Sequence, residues 1–514
     1  MNAAECVIRT AETAGVELCF ANPGTTEMPL VLALDGARMR CVLGLHETIC
    51  TGAADGYGRL SGKPALTLLH LGPGLANGLA NLHNARRART PVVNLVGDHA
   101  SWHRDADAPL TMDIEALART VSRWTARMVR ASEAGSLTAE AITRARAGRG
   151  GVATLVLPHD LLLEEVAEGV PPMPRYEPAP AADPGAIAAA AELLRGSAAS
   201  ALFLGGPALW GEGLRLAGRI ARATGAVLVC ETGFARLATG AGRPPVRRLP
   251  YFPEQAQALL DGFAHVIGCG AKPPVSFFGW PGKPSRYLED REGVIWVAGT
   301  EEDAVAALRE LADALGARED HPGTRHDPPP APTGPLDGAK LAAALVRELP
   351  EDAVVVPTAV TNSYPFSAIA ERARPHEQLA LTGGAIGEGP ALAIGAALAA
   401  PGRKVINLEA DGSGAYALQA LWTQARERLD ILTIVCANRA YRILRLELER
   451  SGQAPTGRVT RALTSLEDPP IDWVQVARGL GVPGIRVDTG EALVEALRRA
   501  LAEPGPCVIE AVLS

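Results

Sequence analysis

The sequence lacks any long block of basic residues, although lysine and arginine together contribute 50 of its 514 residues. Against 57 acidic residues this gives a formal net charge of −7, spread along the chain. Proteins that bind nucleic acid or an anionic membrane surface display a concentrated basic patch. The charge pattern therefore argues against both partners and favours a small soluble ligand.

Uninterrupted apolar segments are missing as well. The most apolar stretch, residues 379–400, contains glycines together with Glu388 and Pro390, and so falls short of the roughly 20 apolar residues that cross a bilayer. The first residues carry Glu5 and Glu12 in an amphipathic pattern, without the basic start and apolar core of a signal peptide. We expect a cytoplasmic protein with no membrane partner.

Two motifs built on cysteine and glycine are also absent. The eight cysteines show no CxxC spacing, and most lie in apolar runs such as residues 434–437, a pattern typical of reduced core residues. The glycine-rich segments 72–74 and 383–387 lack the GxGxxG spacing of dinucleotide-binding loops. This absence argues against a nucleotide- or flavin-binding oxidoreductase, although such an enzyme could share the architecture described next.

Length and proline distribution predict three domains. At about 150 residues per domain, 514 residues correspond to about three units. Two aperiodic proline-rich segments, 171–184 and 322–335, are typical of interdomain linkers, so we expect domains over residues 1–168, 183–320 and 337–514. In each domain short apolar runs alternate with segments of helical periodicity, which predicts the α/β class with three doubly wound parallel sheets. Ligands of such sheets bind at the carboxyl ends of the strands.

Polar side chains follow two predicted strands in the last third of the chain. Asp411 follows the predicted strand 405–409, and Asn438 follows the predicted strand 431–437 after an intervening helix. A right-handed crossover brings both strand ends to one sheet edge, where the two side-chain oxygens can share a hard cation. The glycines beside Ser413 open a helix N-terminus that suits a phosphate. Taken singly, the aspartate could be a helix cap and the asparagine a turn residue, but their pairing favours a cation site.

This segment resembles the GDGS-to-NN motif of the thiamine diphosphate enzymes, the group that contains acetolactate synthase, benzoylformate decarboxylase and pyruvate decarboxylase. The resemblance implies the thiamine diphosphate-binding fold, with pyrimidine, central and diphosphate domains in that order. The sequence departs from the motif at Ala410 and Ala437, where the family has glycine and asparagine, and both changes spare the metal-ligand side chains. The residues implied for Mg²⁺ are Asp411, Asn438 and the carbonyl of Ala440, and those implied for the diphosphate are Gly412, Ser413 and Tyr441.

Glu47 follows the predicted strand 40–45 and begins a helix. On its own it could be a first-turn acid that favours the helix dipole. The residues after it, ADGYGR at 54–59, resemble the family motif in which this glutamate hydrogen-bonds N1′ of the cofactor's aminopyrimidine ring. The resemblance therefore implies that Glu47 is catalytic, as a buried carboxyl group that shares a proton with the ring.

A third resemblance lies in GGAIGEGPALAIGA, residues 383–396. Close packing of small residues alone explains its helical part. In the family the corresponding segment supports the bent conformation of the cofactor. The resemblance implies that Ile386 lies under the two cofactor rings and that the Gly384 carbonyl accepts a hydrogen bond from the 4′-amino group.

Two loops of the first domain resemble the substrate end of the family's sites. NPGTTE, residues 22–27, resembles the NPGSNE loop of benzoylformate decarboxylase, which places Thr25 at the serine that contacts the substrate carboxylate. His70 resembles that enzyme's active-site histidine and could move a proton near neutral pH. The following GPG, residues 72–74, and Asn77 instead resemble acetolactate synthase. A structural histidine at a strand end is the alternative for His70.

Two further positions leave alternatives open. Asp98 and His99 replace a Gly-Gln pair of the family and could either contact substrate or close the strand end. The middle domain has no evident counterpart of the decarboxylase's second histidine. In that region Phe277, Phe278 and Trp280 could line an apolar pocket or belong to the core.

The resemblance implies an enzyme that attacks the carbonyl of a 2-oxo acid, releases carbon dioxide and passes through an enamine. Protonation then gives an aldehyde, and attack on a second carbonyl gives a hydroxyketone or acetolactate. His70, the lack of a flavin motif, and a chain that ends at Ser514 directly after the last predicted strand favour a decarboxylase or carbon-carbon lyase. The GPG loop favours acetolactate synthase. The only features of the sequence that favour a catalytically silent relative are Ala410 and Ala437.

Expectations for cofactors and assembly follow from the same resemblance. The cofactors are thiamine diphosphate and Mg²⁺, without FAD, and the partner is a small 2-oxo acid. In the family the first domain of one subunit faces the third domain of another, so Glu47 and Asp411 of one chain would serve different sites. A homodimer, or a homotetramer, is therefore the expected active unit.

Overall fold

The computed structural model describes residues 1–167, 169–174, 178–454 and 457–514. Within these ranges the chain forms three sheets of six, five and seven strands, with helices between the strands. This architecture confirms the predicted α/β class with three doubly wound sheets. The expected domain end at residue 168 and residues 175–177 of the first expected linker lie outside the described residues. No helix in the described ranges is both long enough and apolar enough to cross a membrane.

The first sheet has six strands, all parallel. They are β1 Leu18–Asn22, β2 Arg40–Leu43, β3 Ala65–Leu69, β4 Val92–Asp98, β5 Trp124–Arg127 and β6 Val152–Pro158. The helices are α1 Ala3–Thr13, α2 Met28–Asp35, α3 Glu47–Ser61, α4 Leu71–Ala88, α5 Ile114–Arg119, α6 Ala134–Arg146 and α7 His159–Leu163. The spatial order is β2-β1-β3-β4-β6-β5. Three neighbouring strands, β1, β2 and β3, therefore lead into the segments that carry Thr25, Glu47 and His70.

The middle of the chain forms the second sheet, which has five parallel strands. The strands are β7 Ser200–Leu204, β8 Val227–Cys230, β10 Arg247–Arg248, β11 His265–Cys269 and β12 Val294–Ala298. A further short strand from this part of the chain, β9 Leu237–Thr239, belongs to the third sheet. The helices are α8 Pro184–Arg195, α9 Gly211–Thr224, α10 Pro253–Asp261 and α11 Ala304–Ala314. The spatial order is β10-β8-β7-β11-β12, so the strand order reverses at β7 as in other doubly wound sheets.

The third sheet has seven strands in the order β17-β18-β16-β15-β13-β14-β9. Six come from the last part of the chain: β13 Ala353–Pro357, β14 His376–Gln378, β15 Val405–Ala410, β16 Ile431–Ala437, β17 Gly484–Val487 and β18 Cys507–Val512. The helices are α12 Gly338–Glu348, α13 Ser363–Ile369, α14 Gly389–Ala399, α15 Asp411–Gly414, α16 Ala420–Arg426, α17 Arg442–Arg450, α18 Arg458–Thr464, α19 Trp473–Gly479 and α20 Gly490–Ala502. Strand β9 pairs antiparallel with β14 and covers an edge that would otherwise be open, a link between the middle and the end of the chain that sequence patterns did not reveal.

Helices α3 and α14 join the first and third parts of the chain by close backbone packing. A Cβ at Gly56 would lie 2.0 Å from the carbonyl oxygen of Leu392, and a Cβ at Gly395 would lie 1.9 Å from that of Ala53. Real Cβ atoms do not approach a backbone oxygen so closely, so only glycine permits this crossing at either position. Apolar residues of both helices share one core cluster around the crossing, including Ile49 of α3. The crossing places the loop before α14 beside the first sheet's helices.

Candidate active site

Asp411 and Asn438 lie at the carboxyl ends of neighbouring parallel strands, β15 and β16. The Asp411 carboxylate is buried, and it accepts hydrogen bonds from the Gly412 amide at 2.9 Å and from the Arg439 amide at 2.6 Å. Burial raises the pKa of this carboxyl group above its usual value. The sheet therefore brings together the two residues that the crossover argument paired.

Both side chains line a cavity of about 1130 Å³ that extends from the third sheet towards the middle of the chain. The same cavity is lined by every other third-domain residue that the family resemblance assigns to cofactor or metal. These residues are Gly384, Ile386, Gly412, Ser413, Ala440 and Tyr441. They come from three separate chain segments, and such convergence of distant segments in one concavity is typical of a ligand site.

The polar groups at this end of the cavity suit a hard divalent cation. The Asp411 carboxylate, the Asn438 amide oxygen and the Ala440 carbonyl are oxygen donors of the kind that Mg²⁺ prefers. The described part of the chain contains no group of three or more His, Cys, Asp or Glu side chains placed to hold a metal, so a cation here would depend on this mixed set. A cation would also compensate the buried charge of Asp411.

The backbone around Gly412 is packed tightly enough to explain the motif glycine. A Cβ at Gly412 would lie 2.7 Å from Cε1 of Tyr441. The Ser413 hydroxyl accepts a hydrogen bond from the Gly387 amide at 3.1 Å, which joins this turn to the loop before α14. Ala410, which replaces a family glycine, has an extended backbone with φ −87° and ψ 147°. Its extra Cβ therefore introduces no backbone strain.

Glu409, two residues before Asp411, is a buried acid that sequence reasoning missed. It accepts hydrogen bonds from the Thr358 hydroxyl at 2.8 Å and from the Ala410 amide at 3.0 Å. Burial raises the pKa of the Glu409 carboxyl to about 7. Thr358 lines the cavity, so its hydrogen bond to the buried Glu409 holds this part of the cavity wall in place. The available signal was an acid inside a predicted strand whose other residues, apart from Asn407, are apolar.

Glu47 is the first residue of α3 and is 6% exposed. The helix begins after His46, whose Nδ1 accepts a hydrogen bond from the Thr48 amide at 3.2 Å. The Asn77 side-chain amide donates to Glu47 Oε2 at 2.9 Å, and a Cβ at Gly74 would lie 2.9 Å from Oε1. The carboxyl group is thus held in one orientation between α3 and α4.

His70, at the end of β3, is oriented by the buried carboxylate of Glu27. Its Nδ1 lies 2.7 Å from Glu27 Oε2, which also accepts from the Gly24 amide at 2.8 Å, and the Thr26 hydroxyl donates to Oε1 at 2.7 Å. Because a carboxylate only accepts, Nδ1 carries a proton and Nε2 is left for another partner. Thr25 itself is exposed, and its neighbour Thr26 makes the contacts. Sequence reasoning missed Glu27, although the NPGTTE motif contains it.

The two groups of predicted residues do not line one cavity within a single chain. Among the described residues that line the 1130 Å³ cavity, none belongs to the set of Thr25, Glu47 and His70. Glu47, His70 and Asp411 are each held by hydrogen bonds, whereas Thr25 is exposed. The predicted site residues of one chain thus form two groups, one beside the first sheet and one at the third, which are called half-sites below.

Arg59 connects the two half-sites through the interior. Its side chain is buried and donates to Asp55 at 2.9 Å within α3, to Glu388 at 2.7 Å and to the Ala380 carbonyl at 2.6 Å. Burial also raises the pKa of Glu388 well above its usual range. Glu388 immediately precedes α14, so the arginine ties the helix that begins at Glu47 to the loop that carries Gly384.

The contacts of Asp98 and His99 favour a structural role at the end of β4 over contact with a substrate. The buried Asp98 carboxylate pairs with Arg127 and, at 3.3 Å, with Arg104. It also accepts a hydrogen bond from the His99 amide at 2.8 Å. The His99 ring lies 3.0 Å from the carbonyl of Pro109. These partners all lie in the segment that follows β4 or in β5.

Aromatic residues of the middle domain form one wall of the cavity. Phe277 and Phe278 line it, are 51% and 53% exposed, and have ring centroids 4.9 Å apart. Tyr251 lies 5.1 Å from Phe277 and lines the same cavity. These exposures exclude the interpretation as core residues. Trp280 contacts Arg450, whose guanidinium lies 5.4 Å from its ring centroid.

Three residues beside the half-sites have backbone angles that side chains rarely adopt. Leu71 follows His70 with φ 50°, Arg439 follows Asn438 with φ 53°, and Val360 lines the cavity with φ 48°. Each such residue costs about 1 to 3 kcal/mol, which the surrounding structure must offset. Strain of this kind is typical of functional sites.

Comparison with known proteins gives matches over both half-sites. A family model described as "Thiamine pyrophosphate enzyme, N-terminal TPP binding domain" matches residues 1–117. A second, described as "Thiamine pyrophosphate enzyme, C-terminal TPP binding domain", matches residues 362–511. The two matched ranges contain all the predicted site residues.

Relatives of known name match the whole chain. The protein named "Putative acetolactate synthase large subunit IlvX" of Mycobacterium tuberculosis is 46% identical, over all of this chain and 99% of that protein. Benzoylformate decarboxylase of Pseudomonas aeruginosa is 28% identical, over 96% of each. The structure of Rhodococcus jostii thiamine diphosphate-dependent 4-hydroxybenzoylformate decarboxylase has a TM-score of 0.85 at 24% identity, covering 100% of this chain and 99% of that chain. The last likeness shows a shared fold.

Proposed function

The chain belongs to the thiamine pyrophosphate enzyme family, and on this premise we propose that it is a thiamine diphosphate- and magnesium-dependent enzyme acting on a 2-oxo acid. The proposed reaction is decarboxylation or another carbon-carbon bond cleavage or formation. The observation that carries the proposal is the convergence of Gly384, Ile386, Asp411 and Asn438 on one cavity. This convergence supports a cofactor site at the carboxyl ends of the third sheet.

The proposed cofactor residues divide between diphosphate and ring contacts. Mg²⁺ would be held by Asp411, Asn438 and the Ala440 carbonyl, with Gly412, Ser413 and Tyr441 along the diphosphate. The rings would be contacted by Ile386, the Gly384 carbonyl and Glu47. When bound, thiamine diphosphate supplies a carbanion that attacks the 2-oxo carbonyl and then stores the electron pair of the broken bond.

We place the complete site between two subunits. Within one chain Glu47 lies outside the cavity that contains Asp411, so a second chain would have to supply the missing half-site. A symmetric dimer closes two such sites at once, because each chain offers one half of each type. The minimal active unit is then a homodimer, and a homotetramer would contain two such dimers.

His70 would exchange a proton with the substrate. Its Nδ1 is engaged by Glu27, so Nε2 is the nitrogen that faces a ligand. The side chain of His70 is 24% exposed, which leaves it accessible from the half-site surface.

The aromatic wall favours decarboxylation of a 2-oxo acid with a bulky apolar side chain. Phe277 and Phe278 offer apolar surface where a small substrate such as pyruvate would leave the space unfilled. An aryl 2-oxo acid fits this wall, in keeping with the names of the Pseudomonas and Rhodococcus relatives.

Acetolactate synthesis is the second candidate. The Mycobacterium tuberculosis relative carries that name, and the GPG sequence at residues 72–74 resembles acetolactate synthase. A catalytically silent relative is a third candidate, suggested by Ala410 and Ala437. The unstrained extended backbone of Ala410 weakens that third candidate.

The proposal is tested by cofactor titration and a substrate panel. Purified apoprotein is titrated with thiamine diphosphate and Mg²⁺, alongside Glu47→Gln, Asp411→Ala and the surface control Glu17→Gln. The expected result is saturable, magnesium-dependent binding that Asp411→Ala abolishes, Glu47→Gln weakens and Glu17→Gln leaves unchanged. No saturable binding, or binding that none of the variants alters, would overturn the enzyme assignment.

Substrates from pyruvate to phenylglyoxylate are then compared, with carbon dioxide and carboligation products both measured. Release of carbon dioxide and an aldehyde from aryl 2-oxo acids supports the decarboxylase. Formation of acetolactate from pyruvate alone, at a rate above that of aryl substrates, supports the second candidate.

A further inference from the structure

Cys19 and Cys41 lie directly opposite each other on neighbouring parallel strands, β1 and β2. Side chains of register partners lie on the same face of a sheet, and adjacent strands are about 4.8 Å apart. A disulfide requires Cα atoms between about 4.4 and 6.8 Å apart. The spacing of the two strands therefore already satisfies the backbone condition for a disulfide.

The two thiols differ in accessibility in the way that a redox pair needs. Cys41 is exposed on the edge strand β2, whereas Cys19 is buried. The other cysteines are buried or, in the case of Cys507, half-buried. A hydrogen bond between the paired thiols lowers the pKa of Cys41 and raises the pKa of Cys19. The exposed Cys41 thiol is thus the more reactive one, and the buried Cys19 thiol lies next to it.

From this juxtaposition we propose that Cys19 and Cys41 are a site of reversible oxidation, in which a peroxide converts the two thiols to an intramolecular disulfide. The finding also corrects the expectation that the cysteines are core residues, because Cys41 is exposed. The proposal does not depend on the proposed catalytic function.

The reaction balances in two steps. The Cys41 thiolate attacks one oxygen of the peroxide, which breaks the O–O bond, forms a sulfenic acid and releases water after protonation. The Cys19 sulfur then attacks the sulfenic sulfur, the S–O bond breaks, and a second water leaves. Overall, the two thiols lose two electrons to form the disulfide, and one hydrogen peroxide is reduced to two waters.

The pair is positioned to affect the first-sheet half-site. Strand β2 lies at the edge of the first sheet, beside β1. A covalent link between the two strands would stop the edge strand from separating, and β2 leads directly to His46 and Glu47. Oxidation would therefore stiffen the segment that delivers the Glu47 carboxyl group.

The test is exposure of the full-length protein to limiting hydrogen peroxide, followed by alkylation of free thiols and peptide mapping. The expected product is a Cys19–Cys41 linked peptide that has lost two hydrogen atoms and is removed by dithiothreitol. It should form before Cys507 is modified. Cys41→Ser, which changes an exposed side chain and leaves the core intact, should reduce the linked peptide to background, and the matched control Cys507→Ser should not.

Other outcomes would overturn the proposal. They are a Cys41 that proceeds to sulfinic acid with Cys19 still free, a disulfide between two chains, a link to Cys50, or oxidation of Cys507 first. Unfolding in urea gives a second measurement on the wild-type protein. The oxidised form should unfold at a higher urea concentration than the reduced form, and the Cys41→Ser protein should show no such difference.

Discussion

At the scale of single residues, both half-sites contain buried carboxyl groups, and each of these groups is held by specific hydrogen-bond donors. Glu27 accepts from a backbone amide and a hydroxyl and contacts His70, Glu47 accepts from Asn77, and Asp411 accepts from two backbone amides. A buried charge without such donors would cost several kcal/mol. These donors keep each carboxyl group in one orientation, which a reacting group requires.

Replacement of Glu27 should separate substrate chemistry from cofactor binding. Glu27→Gln keeps the size of the side chain but removes the charge beside His70, so kcat/KM on the best 2-oxo acid should fall by about 10²-fold. The affinity for thiamine diphosphate should stay unchanged, because Glu27 contacts His70 and is not among the residues proposed to contact the cofactor. Steady-state kinetics and cofactor titration provide the two measurements.

Glu17→Gln is the control for that prediction, because Glu17 is an exposed acid just before β1 that pairs with Lys63. Its kcat/KM should match that of the wild-type protein. Equal losses of cofactor affinity and turnover in Glu27→Gln would show a general structural role and contradict the prediction.

His376 should make the folded protein sensitive to acid. Burial on β14 lowers the pKa of His376 to about 4, from an ordinary value of 6.5. As the pH falls from about 6.5 to about 4, the unfolded chain gains a proton that the native state excludes. The free energy of unfolding should therefore decrease over this window, by up to about 3 kcal/mol.

Urea unfolding at pH 5 and pH 7 measures this effect. His376→Gln should show a smaller difference between the two pH values than the wild-type protein. The exposed His326→Gln is the control and should retain the full difference. An unchanged pH dependence in His376→Gln would mean that other groups control acid sensitivity.

At the scale of elements, the crossing of α3 and α14 sets how the first and third parts of the chain meet. Gly56 and Gly395 allow the two backbones to touch, and Arg59 adds a buried ionic link to Glu388. The loop before α14 is also held by α4, where the Asn84 side chain donates to the Ala385 carbonyl at 2.9 Å. The loop that carries Gly384 and Ile386 is therefore shaped by helices of the first sheet.

A methyl group in the helix crossing should be strongly destabilising. Gly56→Ala would place a Cβ 2.0 Å from the backbone oxygen of Leu392, which cannot move as a side chain can. The free energy of unfolding should fall by about 2 kcal/mol or more, through overpacking. Urea unfolding measures the loss.

Gly479→Ala is the matched control for the helix crossing. Gly479 ends α19, and a Cβ there would meet nothing within 4 Å. This variant should be neutral or more stable by about 0.5 to 1 kcal/mol, because alanine loses less backbone entropy in a helix. Equal destabilisation by Gly56→Ala and Gly479→Ala would contradict the close backbone contact.

At the scale of the whole molecule, the residues of the two half-sites do not line one cavity within a single chain. The third-sheet cavity gathers the proposed metal and diphosphate residues, and the first sheet holds Glu47 and His70 elsewhere. Both arise at carboxyl ends of parallel strands, which is where doubly wound sheets bind ligands. The proposed site between two subunits can be tested by mixing variant chains, without a structure of the assembly.

Two inactive variants should restore activity when they share an oligomer. In a mixed dimer of Glu47→Gln and Asp411→Ala chains, one site carries both substitutions and the other carries none. The purified mixed dimers should recover roughly half of wild-type activity, because one of the two sites in each dimer is intact. Co-expression with two different affinity tags, followed by tandem purification and an activity assay, provides the measurement.

The control for complementation is a double variant that carries Glu47→Gln and Asp411→Ala on one chain. Mixed with wild-type protein in the same way, its mixed dimers have two sites with one substitution each, so they should show no activity of their own. If each chain contained a complete site, the first mixture would stay inactive, which would contradict the proposed interface.

The sequence by itself determined the α/β class, the order of the strands along the chain and the pairing of Asp411 with Asn438. These features depend on local patterns: β16 covers the same residues as the predicted run 431–437, and a right-handed crossover aligns the ends of β15 and β16 without further information. The motif residues of the third domain were predicted together, and the fold lines one cavity with them.

Only the tertiary structure decided which chemical groups meet across long distances in the chain. It placed β9 of the middle segment on the third sheet, Glu27 beside His70, and Gly56 against Leu392. It also showed that Phe277 is an exposed cavity wall and not core. These contacts depend on how separate helices and strands pack, so residues far apart in the chain share a site or an interface that no local pattern encodes.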